Sequence, residues 1–139
     1  MEDLAARFLA AHLQFYQPFL GPREYMLENV LVNYVHRTMF PFGPQRSEKL
    51  LDVVHAQGSM PDKFRLLAAY LAVVQVLLTG AAACHREQFG EEHVVRVVYS
   101  FSRSFEHSTT FPQRVLELLS AHGLSDCASA AALLRMRQA

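Results

Sequence analysis

Residues 66–84, LLAAYLAVVQVLLTGAAAC, run for nineteen positions without a charge. How this stretch is read decides the fold. It meets the length criterion for a transmembrane helix. Yet Gln75 sits near its middle, and Thr79 and Gly80 lead into the small residues Ala81–Ala83. Arg65 precedes it and His85-Arg86 follow, so the flanking charge favours no orientation. A helix surrounded by other helices in water is apolar on all sides for the same reason that a membrane helix is. The reading carried forward is a long apolar central helix with no membrane segment. Its small-residue end, Gly80 to Ala83, predicts a close helix–helix approach. The membrane alternative predicts partitioning into detergent.

The rest of the chain is patterned to cover such a helix. Leu4, Phe8, Leu9 and Leu13 recur at helical spacing, and Pro18 with Gly21-Pro22 ends that run. A second helix is predicted from about Arg23 to Met39, stopped by Pro41, Gly43 and Pro44. Ser47-Glu48 opens a short helix through LLDVVHA, with Gly58 as its stop. Asp62 suits the first turn of the long helix. Gly90-Glu91-Glu92 starts another, with acids at its positive end and a stripe of Val94, Val98, Phe101 and Phe105. Thr110 before Phe111-Pro112 makes a further start, and Ser125 or Asp126 caps a last, Ala-rich helix. No alternating strand pattern, repeat or linker interrupts this. The fold class is all-α, a single helical bundle of six to seven helices.

Composition narrows function by exclusion. The chain has 139 residues, 51% of them hydrophobic, with 13 cationic and 13 anionic side chains. That is enough for a core and leaves no basic surplus for nucleic acid. Cys84 and Cys127 are the only cysteines. Two cysteines cannot hold zinc or an iron–sulfur cluster without histidine, and no CxxC, CxxH or HxxxH spacing supplies it, so no metal site is expected. Met1 leads into EDLAARFLAAHLQF, unlike a basic leader with an apolar core. Reduced, buried thiols in a cytoplasmic protein are expected. GxGxxG, P-loop, GxSxG, HExxH and DxD are all missing.

The unusual polar residues lie in EYMLENVLVNYVHRTMFPFG, residues 24–43. Asn is a poor helix former, and Asn29 and Asn33 stand one turn apart, with Tyr25 and Arg37 continuing the line. Two readings stand. Tyr25, Asn29, Asn33 and Arg37 line a groove for a peptide or carboxylate, or they bond the backbone of a neighbouring helix end or loop. Glu106-His107 is the second candidate, either an acid–base pair or a capping His beside a solvated Glu, since adjacent helical side chains diverge by about 100°.

These blocks carry a family resemblance. Glu24-Tyr25 through Asn29, Leu31-Val32-Asn33-Tyr34 and Phe40-Pro41-Phe42-Gly43 resemble the ENYLVNY…LFPF pattern of the C-terminal region of bacterial flagellin lysine-N-methylases. Leu66 to Ala83 is similar to that family's long apolar helix. Glu91-Glu92-His93-Val94-Val95, Ser100-Phe101-Ser102-Arg103 and Glu106-His107 resemble a second block, EEHVV…QSFSR…EHN. The likeness runs from about residue 20 to residue 122. It implies part of an enzyme that methylates flagellin lysines with S-adenosylmethionine. Ser108 replaces the Asn of the second block, and residues 44–61 are longer than the pattern. The cysteine cluster that the family carries in an N-terminal region, there holding an iron–sulfur centre, has no counterpart here. The expectation is therefore one helical domain, residues 1–139, that is either the C-terminal part of a longer methylase or a shortened homologue needing a separate cysteine-rich N-terminal partner. The competing expectation is a non-catalytic helical protein-binding module. The resemblance assigns no catalytic residue.

Overall fold

The computed structural model describes residues 2–38, 40, 60–106, 108 and 110–137, and all its regular elements are helical. In chain order they are α1 (Glu2–Ala11), a π-helical turn (His12–Tyr16), α2 (Gln17–Leu20), a 3-10 turn (Gly21–Arg23) and α3 (Glu24–Thr38). Then come α4 (Met60–His85), a 3-10 turn (Arg86–Gln88), α5 (Glu91–Glu106), α6 (Phe111–Ala121), α7 (Cys127–Ala131) and a 3-10 run (Ala132–Arg137). The all-α class is as expected, but the count differs. Five helices of ten residues or more stand among the described residues, not six to seven. The last, Ala-rich helix holds α geometry for five residues and then tightens into 3-10. The short helix expected over residues 47–56 lies outside the described residues.

The chain packs as two compact units, Met1–Val30 with Val73–Glu106, and Leu31–Ala72 with His107–Ala139. In the first, Val74, Leu78 and Ala82 are fully buried at a spacing of four on α4, and Tyr16, Leu20, Phe89 and Val94 join them in the core. Phe19 meets Phe89 edge-to-face at 5.3 Å, and Arg23 lies over the Phe19 ring at 4.3 Å while donating to the Phe19 carbonyl at 2.9 Å. The α5 stripe behaves as expected, with Val94 buried and Val98, Phe101 and Phe105 half-buried. The α1 stripe does not. Leu4, Leu9 and Leu13 are exposed, and the buried residues of that run are Ala11, His12, Tyr16 and Leu20. The π-helical turn at His12–Tyr16 is the cause. A π-turn carries one surplus residue, which changes the face that α1 presents by about 100°.

In the second unit Leu66, Ala68, Ala69, Tyr70 and Ala72 of α4 are buried with Tyr34 of α3 and Leu119 of α6. The Tyr34 and Tyr70 rings lie 4.5 Å apart, tilted at 44°. Arg65 is 4% exposed, and each of its three guanidinium nitrogens donates a hydrogen bond. Nε donates to the Leu124 carbonyl at 2.9 Å, Nη1 to Asp62 Oδ1 at 3.0 Å, and Nη2 to Ser120 Oγ at 2.8 Å and the Leu116 carbonyl at 3.3 Å. A planar fork of five donors can serve four acceptors on three segments at once. Asp126 caps α7, its carboxylate accepting from Ser129 N–H while Ser129 Oγ accepts from Asp126 N–H. Those bonds hold the Asp126 carboxyl below its usual range. Thr110 stands at the cap position of α6 without a side-chain capping bond.

Residues 60–88 form a helical stretch long and apolar enough to cross a membrane, with a mean hydropathy of 2.0 over its most apolar window. Of that window 56% is buried inside the protein.

Two predictions follow from the second unit. Replacing Arg65→Met leaves two carbonyls and a serine hydroxyl without their buried donor, so urea unfolding should show a loss of about 3 kcal/mol. Arg65→Lys should recover only part of it, because a compact ammonium cannot span all four acceptors. Burial first, then the neighbouring Tyr70, pushes the Tyr34 phenol up from 10.0 to about 12, with Arg37 opposing. Below pH 10.0 the phenol is protonated folded or unfolded; above it the unfolded chain ionises first. Stability attributable to Tyr34 is therefore lost as pH rises from 10.0 toward about 12. Comparing Tyr34→Phe with the native chain across that range should show a shallower alkaline decline in the variant.

Candidate functional site

The first unit holds an open cleft of about 560 Å³ between α1 with its π-turn and the C-terminal part of α4. Leu4, Phe8 and Phe15 form one wall, and Thr79, Gly80 and Ala83 the other. The small residues that predict a close helix approach do the opposite. A Cβ added at Gly80 meets no atom within 4 Å, and Gly80 is exposed while Ala82 is the fully buried member of the set. Missing side chain here becomes open space.

Arg7 and Arg86 also line the cleft, both exposed, and among the described residues no carboxylate does. Arg86 follows the end of α4 with a φ of 50°, a left-handed conformation that helix ends usually give to glycine. Behind the cleft wall is a buried polar chain. Thr79 Oγ1 donates to the Gln75 carbonyl at 2.9 Å and faces His12 Nδ1 at 3.3 Å. A hydroxyl has one proton, so His12 Nδ1 carries the proton of the second bond. The His12 ring stacks on Tyr16 at 4.6 Å. Gln75 Oε1 is buried without a hydrogen-bond partner.

The sequence candidates lie elsewhere. Tyr25 and Asn29 of α3 fall in the first unit and Asn33 and Arg37 in the second; all four are exposed and none lines the cleft. Tyr25 Oη donates to Glu91 Oε1 at 3.4 Å. Neither Asn side chain bonds a described residue, whether backbone or side chain. The Glu106 side chain and His107 lie outside the described residues, so that pair is not placed.

Both cysteines are free, and both are exposed where burial is expected. Cys84 follows Ala83 onto the open face of α4, and Cys127 sits at the first turn of α7, with its sulfur 3.9 Å from the Pro61 carbonyl. No group of three or more His, Cys, Asp or Glu side chains stands together among the described residues. Across the α4–α5 connection the His85 and His93 rings lie 3.8 Å apart, and His93 Nδ1 accepts from Gly90 N–H at 3.0 Å. Sequence reasoning placed neither Arg7 nor Arg86 in a site, and it assigned Gly80 to a helix contact. The available signal was Gly80 itself, an interruption in an otherwise strong helix former run.

These features define an all-helical protein in which, among the described residues, the C-terminal part of the longest helix keeps one open face. Compared with known families, the chain matches the model of the FliB lysine N-methylase C-terminal domain over residues 1–133, and it belongs to that family. The match extends beyond the residues that carry the resemblance, taking in α1, α7 and the first two residues of the final 3-10 run. No curated protein and no solved structure matches the chain.

Burial holds the His12 imidazole below its usual 6.5. The unfolded chain takes up a proton there as pH falls through 6.5, while the folded chain does not until lower pH. Stability present above that value is therefore lost as pH drops from 6.5 through the folded-state value. His12→Phe keeps a ring against Tyr16 and removes the titration. Urea unfolding between about pH 7.5 and about pH 5.5 should show a steeper acid loss in the native chain than in this variant.

Proposed function

We propose that this chain is the C-terminal part of an enzyme that transfers methyl groups from S-adenosylmethionine to lysine side chains of flagellin, in the cytoplasm. The observation that carries the reading is the family match over residues 1–133. Methyl transfer to an amine needs a neutral lysine, an in-line donor and a dry pocket. The open cleft fits neither reactant. A lysine ammonium or a cationic sulfonium placed there would face two guanidiniums with no carboxylate to offset them. Two cysteines also fall short of the ligands an iron–sulfur cluster takes. The reactive centre on this reading is completed by a cysteine-rich N-terminal region. This chain contributes the helical half that supports it.

The second reading is a non-catalytic protein-binding module, favoured by the exposure of Tyr25, Asn29, Asn33 and Arg37 on α3. One set of assays separates the two. The chain is incubated with flagellin and S-adenosylmethionine, alone and with the N-terminal region of a family methylase, and lysine methylation is read by mass spectrometry. The expected result is no methylation by the chain alone and methylation on addition of that region. Methylation by the chain alone would remove the need for a partner. No methylation in either case, with flagellin bound but S-adenosylmethionine not, would favour the binding module.

A further inference from the structure

The cleft beside Gly80 has a chemistry that the methylase reading leaves unused. Its walls are apolar, from Phe8 and Phe15 on one side to Gly80 and Ala83 on the other. Among the described residues its charged lining is of one sign, Arg7 and Arg86. Among the described residues neither guanidinium is hydrogen-bonded or ion-paired. Each comes from a different element, α1 and the turn after α4, and Arg86 reaches its place through a left-handed backbone. A non-glycine residue held at positive φ is strained, and such residues gather at functional sites.

We propose that this cleft binds a small organic carboxylate with an apolar body, the body between α1 and α4 and the carboxylate on Arg7 and Arg86. The volume of about 560 Å³ falls within the range of small-molecule sites. Guanidiniums match a carboxylate through paired, charge-assisted hydrogen bonds. An extended peptide fits less well, because its backbone needs partners. Apart from the arginines, the lining offers only Gln14 and Thr79 as polar side chains, and the Thr79 hydroxyl already serves Gln75 and His12. A helical peptide satisfies its own backbone, but it is about 10–12 Å across and calls for a longer groove. The site is independent of the methylase reading, since it uses neither the methyl donor nor a lysine.

The chain has no tryptophan, so a dansylated fatty acid can be titrated against a low intrinsic background. The expected result is saturable binding of one probe per chain, displaced by dodecanoate. Dodecanol should displace it about tenfold more weakly, and dodecyltrimethylammonium more weakly still. Gly80→Leu places a strong helix former in open space and fills the cleft, so binding should fall at least about tenfold with helix content by circular dichroism unchanged. Ala83→Leu is the second blocking variant, should the first fold poorly. Arg7→Gln with Arg86→Gln should remove the preference for dodecanoate over dodecanol. Absence of probe binding, equal displacement by acid and alcohol, or full binding in a folded blocking variant would each overturn the proposal. Displacement of the probe by an amphipathic acidic helical peptide more strongly than by dodecanoate would also overturn it, in favour of a peptide groove.

Discussion

Nineteen consecutive uncharged residues on one helix have to be taken out of water, and nearly every other contact is a response to that requirement. In the second unit the response is aromatic and ionic: Tyr34 on Tyr70, then Arg65 closing the N-terminal part of α4 against α6 and the Leu124 loop. In the first it is aliphatic on α4, with Val74, Leu78 and Ala82 buried at a four-residue repeat, and aromatic around it, with Tyr16 and Phe89. Burial costs little for such side chains and returns roughly 25 cal/mol per Å² removed from water. The polar residues on the same helix are the expensive ones. Thr79 meets its cost by bonding back to the turn before it and to His12. Gln75 Oε1 does not, and a buried acceptor left alone costs about 1–3 kcal/mol.

Covering is also incomplete, and the gap is where the open chemistry lies. At Gly80 and Ala83 the helix carries almost no side chain, and α1 stands away from it. Val76 and Leu77, just before, are 43% and 42% exposed. The same helix thus serves as a core element along one side and as a cleft wall along another.

Much of the fold was legible because it rests on periodicity and local chemistry. The α5 stripe of Val94, Val98, Phe101 and Phe105, the Asp126 cap and the Pro-marked start of α6 are all short-range signals, and all are present. What was not legible depends on partners distant in sequence. Arg65 reads as one flanking charge on an apolar run; only folding brings Leu116, Ser120 and Leu124 to it. Gly80 reads as a contact residue because small side chains permit approach, but permission does not supply the neighbour. Cys84, one turn beyond Gly80, is likewise exposed, with no neighbour among the described residues to bury it. The Leu4–Leu13 run failed differently. Its spacing is truly helical, but helical spacing alone says nothing about which face is inward once a π-turn follows.

That turn has a further consequence. A π-turn is in effect one residue too many, kept within a helix that would otherwise run straight from Glu2 to Leu20. Deleting a single position between His12 and Tyr16 would let the ladder heal into an uninterrupted α-helix and rotate everything before it by about 100°. Leu4, Arg7 and Phe8 would swing off the cleft, while Tyr16, Leu20 and the core beneath them stayed in place. The cleft wall is therefore held open by a count of residues and not by any one side chain. A gain or loss of length there would change what the domain can bind without changing its fold.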